Sequence, residues 1–229
     1  MRQGWVEAEL IFVGPDEQGR LETLKVHEGD RAENGAQLFT LDDDLQQADV
    51  VVKKATVLNA QQNFNRAKEL LHTTAGTQKA YEDSEAVLRQ ANANLTASEI
   101  RLAHRKVFSP TDGTIQQVYY RPGEAIPAGQ PVVALLPPQN IKLRFFASEA
   151  LLPEITLGAT VSVSCDGCQS GLTAKVSFIA RTAEFTPPVI YSLEEREKLV
   201  FLIEARPEEP EKFRVGQPVT VALPKEGPK

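Results

Sequence analysis

A pattern of glycines occurs twice, 94 positions apart, and it constrains the fold of this chain more than any other feature. Gly19, Gly29 and Gly35 of the first copy correspond to Gly113, Gly123 and Gly129 of the second. Apolar positions correspond as well: Leu24 with Val118, Leu38 with Val132, Leu41 with Leu135. Glycines at fixed offsets mark turns that need positive φ or close backbone approach. Neither copy alone has enough strands for a core. The two are therefore expected to pack as halves of one pseudo-symmetric β-sandwich, built from residues 19–43 and 107–136.

The segment between the copies has a different composition. Residues 44–106 contain one glycine, no proline, and many Ala, Gln, Glu, Leu and Asn residues, which is the composition of helices. The second half carries a heptad-like row, Tyr81, Ser84, Leu88, Ala91, Leu95, Ser98 and Leu102. The first half offers Leu45, Ala48, Val52 and Ala55, then Phe64, Ala67 and Leu71, with polar Asn59 and Gln62 placed in the seam. Residues 73–77 supply the turn. The expectation is an antiparallel coiled-coil hairpin with arms of about 42 Å at the standard helical rise. One narrow apolar stripe per arm favours a hairpin that projects over a lid folded on the core. Asp42, Asp43 and Asp44 suit a helix start, where acids cap free N–H groups and complement the dipole. A metal site is the alternative for three acids, but no fixed second ligand set follows them.

Bulk properties exclude several functions. The 229 residues are 41% hydrophobic and carry a formal net charge of -6, with no basic patch interleaved with aromatics, so nucleic-acid binding is not expected. No apolar run is long enough to cross a bilayer, and the first twenty residues do not read as a signal peptide. Either the protein is cytosolic or an N-terminal anchor lies outside this chain. His27, His72 and His104 fall in three different zones, and no P-loop or dinucleotide glycine pattern is present. No catalytic residue, cofactor or metal site is predicted. Cys165-Asp166-Gly167-Cys168 stands apart. Asp-Gly favours a two-residue hairpin that would set the thiols across from each other, as a disulfide or a reduced pair. A redox or zinc role is less favoured, because the flanks read as strands and no further ligands lie nearby.

From residue 137 onward short strands continue. Leu157-Gly158-Ala159-Thr160-Val161-Ser162-Val163 echoes Val215-Gly216-Gln217-Pro218-Val219-Thr220-Val221. The order of split sandwich, helical hairpin and β-barrel resembles the HlyD-like periplasmic adaptors, or membrane fusion proteins, whose sandwich halves look like biotinyl/lipoyl domains. Phe108-Ser109-Pro110-Thr111-Asp112-Gly113-Thr114-Ile115 is similar to the family's apolar-x-Ala-Pro-x-Asp-Gly re-entry, with Ser109 in place of Ala. Arg66-Ala67-Lys68-Glu69-Leu70, followed by Thr77, resembles the tip motif Arg-Leu-x-x-Leu, six residues, Ser; Ala67 and Thr77 depart from it. The stretch 183–192, with Pro187 and Pro188, resembles a loop of adaptors for ABC-type exporters.

The resemblance implies an elongated α+β protein. Residues 1–18 would be an N-terminal strand leading from the membrane-proximal side, 19–43 with 107–136 would form the biotinyl/lipoyl-like domain, 44–106 the hairpin and 137–229 the barrel. It implies a non-enzymatic periplasmic adaptor, held to the inner membrane by an N-terminal segment absent from this chain. Its implied partners are an inner-membrane exporter, of ABC type, a TolC-type outer-membrane channel met by Arg66, Leu70 and Thr77, and further copies of itself in a ring. The competing function is a biotin or lipoyl carrier domain. Such carriers place a modified lysine at the junction of the two halves, where this chain has its helical insert.

Overall fold

The computed structural model describes residues 2–73, 75–185 and 199–223. It forms two compact units, one of residues 12–111 and 115–134, the other of residues 1–11, 112–114 and 135–229. The elements up to the end of the sandwich are β1 (Arg2–Ala8), β2 (Ile11–Val13), β3 (Gly19–Leu24), β4 (Arg31–Ala32), β5 (Gln37–Leu41), α1 (Asp44–His72), α2 (Gln78–Ala103), β6 (Lys106–Phe108), β7 (Gly113–Val118), β8 (Ala125–Ile126) and β9 (Val133–Leu136).

The 94-residue repeat is a repeat of strands. β3, β4 and β5 recur as β7, β8 and β9, and they form two four-stranded sheets ordered β6-β5-β3-β8 and β2-β9-β7-β4. Each sheet borrows the short strand of the other half, which is why neither half has a core of its own. The exchange is reciprocal at the hydrogen-bond level. Leu21 N donates to Glu124 O and Gly123 N to Leu21 O, at 2.8 and 2.7 Å; Ile115 N donates to Asp30 O and Gly29 N to Ile115 O, at 2.9 and 2.8 Å. Gly29 and Gly123 sit at φ 92° and 96° beside these bonds, a region open to glycine without cost. Gly19 and Gly113 serve the other purpose, close approach. A Cβ on Gly19 would lie 2.7 Å from Arg105 Nη1, and one on Gly113 would lie 2.8 Å from Leu136 O. Leu21, Leu38, Phe39, Leu41, Ile115, Ile126 and Val132–Leu135 fill the interior.

The hairpin arms have 29 and 26 residues. The helices pack chiefly on each other, along their length. On α2 the expected row is the buried one: Tyr81, Ser84, Leu88, Ala91, Leu95, Ser98 and Leu102 are all buried or half-buried. On α1 the expected row is wrong in its first half. Leu45 and Val52 are 81% and 60% exposed, and Ala48, Ala55, Asn59 and Gln62 are exposed as well. The true seam is Gln46, Val50, Lys53, Val57, Ala60, Phe64, Ala67 and Leu71, an unbroken alternation of four and three. Only its last three members match the expectation. Asp43 is the N-cap of α1, but its carboxylate makes no capping bond to the backbone. It accepts from Gln47 Nε2 instead, while Asp42 accepts from Asp44 N.

The second unit is a barrel. Its further strands are β10 (Ile141–Ser148), β11 (Thr160–Ser164), β12 (Leu172–Ile179), β13 (Glu184–Phe185), β14 (Leu199–Pro207) and β15 (Pro218–Ala222). The order β10-β1-β15-β11-β12-β14 closes through the pairing of β14 with β10, and β13 adds to the far edge of β14. β1, in the stretch expected as an N-terminal strand outside the barrel, is a stave of this barrel, paired with both β10 and β15. Val6, Leu143, Phe145, Ala147, Val161, Val163, Ile203, Val219 and Val221 face inward. The echo of 157–163 in 215–221 is structural: Gly158 and Gly216 both adopt positive φ, 83° and 81°, and the strands that follow them, β11 and β15, pair antiparallel.

Candidate functional site

The residues singled out for partner binding lie at the far end of the hairpin. Arg66 and Leu70 are four residues apart on α1 and so share a face. Arg66 is exposed, and Leu70 is 43% exposed although it adjoins the seam residue Leu71. The turn folds back over Leu70, whose carbonyl accepts from Ala75 N and Gly76 N at 3.0 and 2.9 Å. Thr77 is not a free hydroxyl on the surface. It is the N-cap of α2, with φ -106° and ψ 149°, and its Oγ1 accepts from Ala80 N at 3.1 Å. The rings of Phe64 and Tyr81, with centroids 5.3 Å apart, close the seam beneath the turn. The tip thus presents a cationic and an apolar side chain on a helix end fixed by a cap and an aromatic pair.

A polar tie that the sequence did not reveal sets the hairpin register. Buried Ser98 donates to Asp49 Oδ2 at 2.5 Å, across the seam. The Ser98 hydroxyl, with Lys53 at 3.7 Å and Arg101 contributing charge, holds the Asp49 carboxyl below its ordinary range. Lys54 and Glu99 form a second interhelical pair at 3.7 Å.

Cys165 and Cys168 are joined by a disulfide, with Cα atoms 5.3 Å apart. The expected two-residue hairpin is not the geometry. Asp166 and Gly167 centre a turn closed by Cys168 N donating to Cys165 O at 3.1 Å, but the strands pair only from Val163 and Leu172 outward. The connection needs a second positive-φ glycine, Gly171, before β12 starts. Among the described residues no group of His, Cys, Asp and Glu is placed to hold a metal ion. No described helix is long and apolar enough to cross a membrane. The proline loop likened to ABC-type adaptors lies, from residue 186 on, outside the described residues.

The comparisons with known proteins agree with this geometry. The family model for the barrel-sandwich hybrid domain of RND membrane fusion proteins matches residues 9–136. A membrane protein of Acidithiobacillus ferridurans from the 5′ region of asrC is 30% identical over 175 residues, covering 74% of this chain and 52% of that protein. The toluene efflux pump periplasmic linker protein TtgD of Pseudomonas putida is 30% identical over 118 residues, 52% of this chain and 31% of its own. This chain therefore spans about half of the length of the first relative and about a third of the second. Among solved structures, a membrane fusion protein of Streptococcus pneumoniae superposes with a TM-score of 0.74 at 18% identity, covering 96% of this chain and 97% of that one, a likeness of fold. A split sandwich that exchanges strands between its halves, with a coiled-coil hairpin at their junction and a matching family model over more than half the chain, places this protein among the RND membrane fusion proteins, through their barrel-sandwich hybrid domain.

Proposed function

We propose that this protein is a periplasmic adaptor of an efflux or secretion system, which bridges an inner-membrane exporter to a TolC-type outer-membrane channel and catalyses no reaction. One observation carries the reading. At the junction of the sandwich halves, where a biotin or lipoyl carrier would present its modified lysine, the chain builds a hairpin whose helices pack chiefly on each other. That arrangement holds a partner at a distance and offers no group for transfer.

The tip residues Arg66 and Leu70 are the proposed channel contact. Thr77 shapes the start of α2 and contributes through its cap. Self-association into a ring is supported by the outer face of α1, where Leu45, Val51, Val52 and Leu58 are exposed large apolar side chains that the partner arm does not cover. A ring makes a modest contact per tip sufficient, because linked copies bind multivalently. An ABC-type exporter is the proposal that follows from the likeness of residues 183–192; the RND-type label of the matching family model names the rival class, and crosslinking from the barrel to each exporter class in cells decides between them.

The test of the tip is export of the cognate substrate together with tip-to-channel crosslinking. Arg66→Asp with Leu70→Ser should impair both while leaving helix content unchanged. Thr77→Ser keeps the cap oxygen and should be silent. Wild-type export and crosslinking in the Arg66→Asp, Leu70→Ser variant would show that the channel is not met at the tip.

A further inference from the structure

The root of the hairpin holds a cluster of charge that neither the sandwich core nor the seam requires. Arg105, two residues beyond the end of α2, is 7% exposed. Its Nη1 donates to Gln18 O at 2.9 Å and its Nη2 reaches Glu17 Oε2 at 3.4 Å. With the Gln46 carboxamide oxygen turned toward it, the guanidinium also donates from Nε, at 3.0 Å, and from Nη2 to the first turn of α1. The Arg105 carbonyl accepts from Leu41 N in β5 at 2.8 Å. One residue therefore ties the end of α2, the start of α1, a sandwich strand and the loop between β2 and β3. Gly19 leaves room for it, since a side chain there would meet the guanidinium.

The same loop makes two exposed ties. Asp16 Oδ2 lies 2.9 Å from His104 Nδ1, and Glu17 Oε1 lies 3.9 Å from Arg101 Nε. Two consecutive acids thus face the Arg101 and Arg105 guanidinium groups and the His104 imidazole, in the last turn of α2 and just beyond it. A helix C-terminus favours cations by itself, but that leaves Arg105 free to be exposed; here it is buried and forked between three elements. Removing one partner of a buried charge leaves the other uncompensated, so the arrangement resists loosening at Arg105 and yields at the exposed pairs.

We propose that the β2–β3 loop is a latch that fixes the direction in which the hairpin leaves the sandwich, with Arg105 as its positioning residue and Asp16 and Glu17 as its catch. The lever is long. Over an arm of about 40 Å, a swing of about 10° at the root displaces the tip by about 7 Å. The loop is continuous in sequence with β2 and, a few residues earlier, with the barrel strand β1.

The experiment places spin labels at Lys79→Cys, beside the tip, and Gln116→Cys, on the sandwich, and reads the distance distribution by pulsed electron resonance in the otherwise intact chain. The Arg105→Met variant and the Asp16→Asn, Glu17→Gln double variant should each broaden or shift the distribution by several ångströms, with helix content unchanged. Raised salt should broaden the parent in the same sense, since the catch is exposed. Distributions as narrow as the parent's in the double variant, at both low and raised salt, overturn the proposal. If Arg105→Met loses its helical signal, the double variant decides alone, because it leaves the Arg105 bond to the Gln18 carbonyl in place.

Discussion

Two neighbouring valines on α1 give the sharpest test of the hairpin register. Val50 is 6% exposed and Val52 is 60% exposed, although both belong to the run Val50-Val51-Val52. Truncation to Ala removes two carbons at either site, about 1.6 kcal/mol if fully buried at about 0.8 kcal/mol per CH₂. At Val50 nearly all of this is lost; at Val52 the buried share leaves roughly 0.6 kcal/mol. Ala is the better helix former at both positions, by roughly 0.5 kcal/mol. The net expectation is a loss of about 1 kcal/mol for Val50→Ala, rising toward about 2 kcal/mol with the residual cavity, and a change near zero for Val52→Ala. Urea unfolding followed by far-ultraviolet circular dichroism measures both. Equal costs at the two sites, or a greater cost at Val52, would refute the seam through Val50, Lys53 and Val57.

The remaining predictions concern the barrel and the response to acid. Replacing Cys165 and Cys168 by Ala should lower barrel stability by about 2 kcal/mol, the chain-entropy value for so short a loop, and intact-mass measurement after alkylation should find no free thiol in oxidised parent protein. Asp49, Glu9 and Glu208 are held below their ordinary range, foremost by the Ser98 hydroxyl, the Lys142 ammonium and the Thr173 hydroxyl respectively. Their contribution is present above the ordinary carboxylate range, about pH 4, and is lost as pH falls through the lowered values. Ser98→Ala should therefore flatten the acid limb of hairpin unfolding, and an unchanged acid limb would show that Asp49 does not depend on Ser98. Lys142 acts at the opposite end. Burial alone would lower it, but Glu9 and Glu204, at 2.7 and 3.0 Å, more than reverse this, so its support persists until pH rises through its raised value.

The sandwich was legible because its instructions are local. Positive-φ positions at 29, 35, 123 and 129 favour glycine whatever surrounds them, so their spacing is visible in the sequence and repeats with the strands. The α2 seam was legible for a similar reason: Ala91 and Leu95 have only polar neighbours one position away, and Val87 beside Leu88 is the one apolar competitor of the three. The α1 seam was obscured by three consecutive valines, which fit more than one register, and by Lys53, whose apolar stem can occupy a seam position while its ammonium reaches Asp49. Arg105 reads in sequence as an ordinary cation after a helix; its burial follows from Glu17 and Gln18, nearly ninety residues earlier. β1 pairs with β15 across almost the whole chain, Arg2 opposite Val221, and no local pattern encodes such a partner. Thr77 was visible as a hydroxyl at a bend, but its role depends on which residue starts the helix, and that placed it as a cap.

The misassigned row on α1 has a meaning of its own. Leu45, Ala48, Val52, Ala55, Asn59, Gln62 and Arg66 repeat at three and four, the same period as the true seam. Two rows with one period keep a constant angle around a supercoiled helix, so this row stays on the outer face from root to tip. Its chemistry changes along that path: apolar at 45–55, carboxamide at 59 and 62, cationic at Arg66. With Leu45, Val51, Val52 and Leu58 exposed, the outer side of α1 is apolar in about its first four turns, which favours contact between copies near the sandwich, where the latch also fixes the arms. Beyond Leu58 the same side gives neighbouring copies little apolar surface to bury, and Arg66 with Leu70 remains available to a different partner. In the ring proposed above, the gradient would separate two requirements along a single helix face. Copies would be held together at the root, where direction is set, and the tip would stay open to a partner of different chemistry.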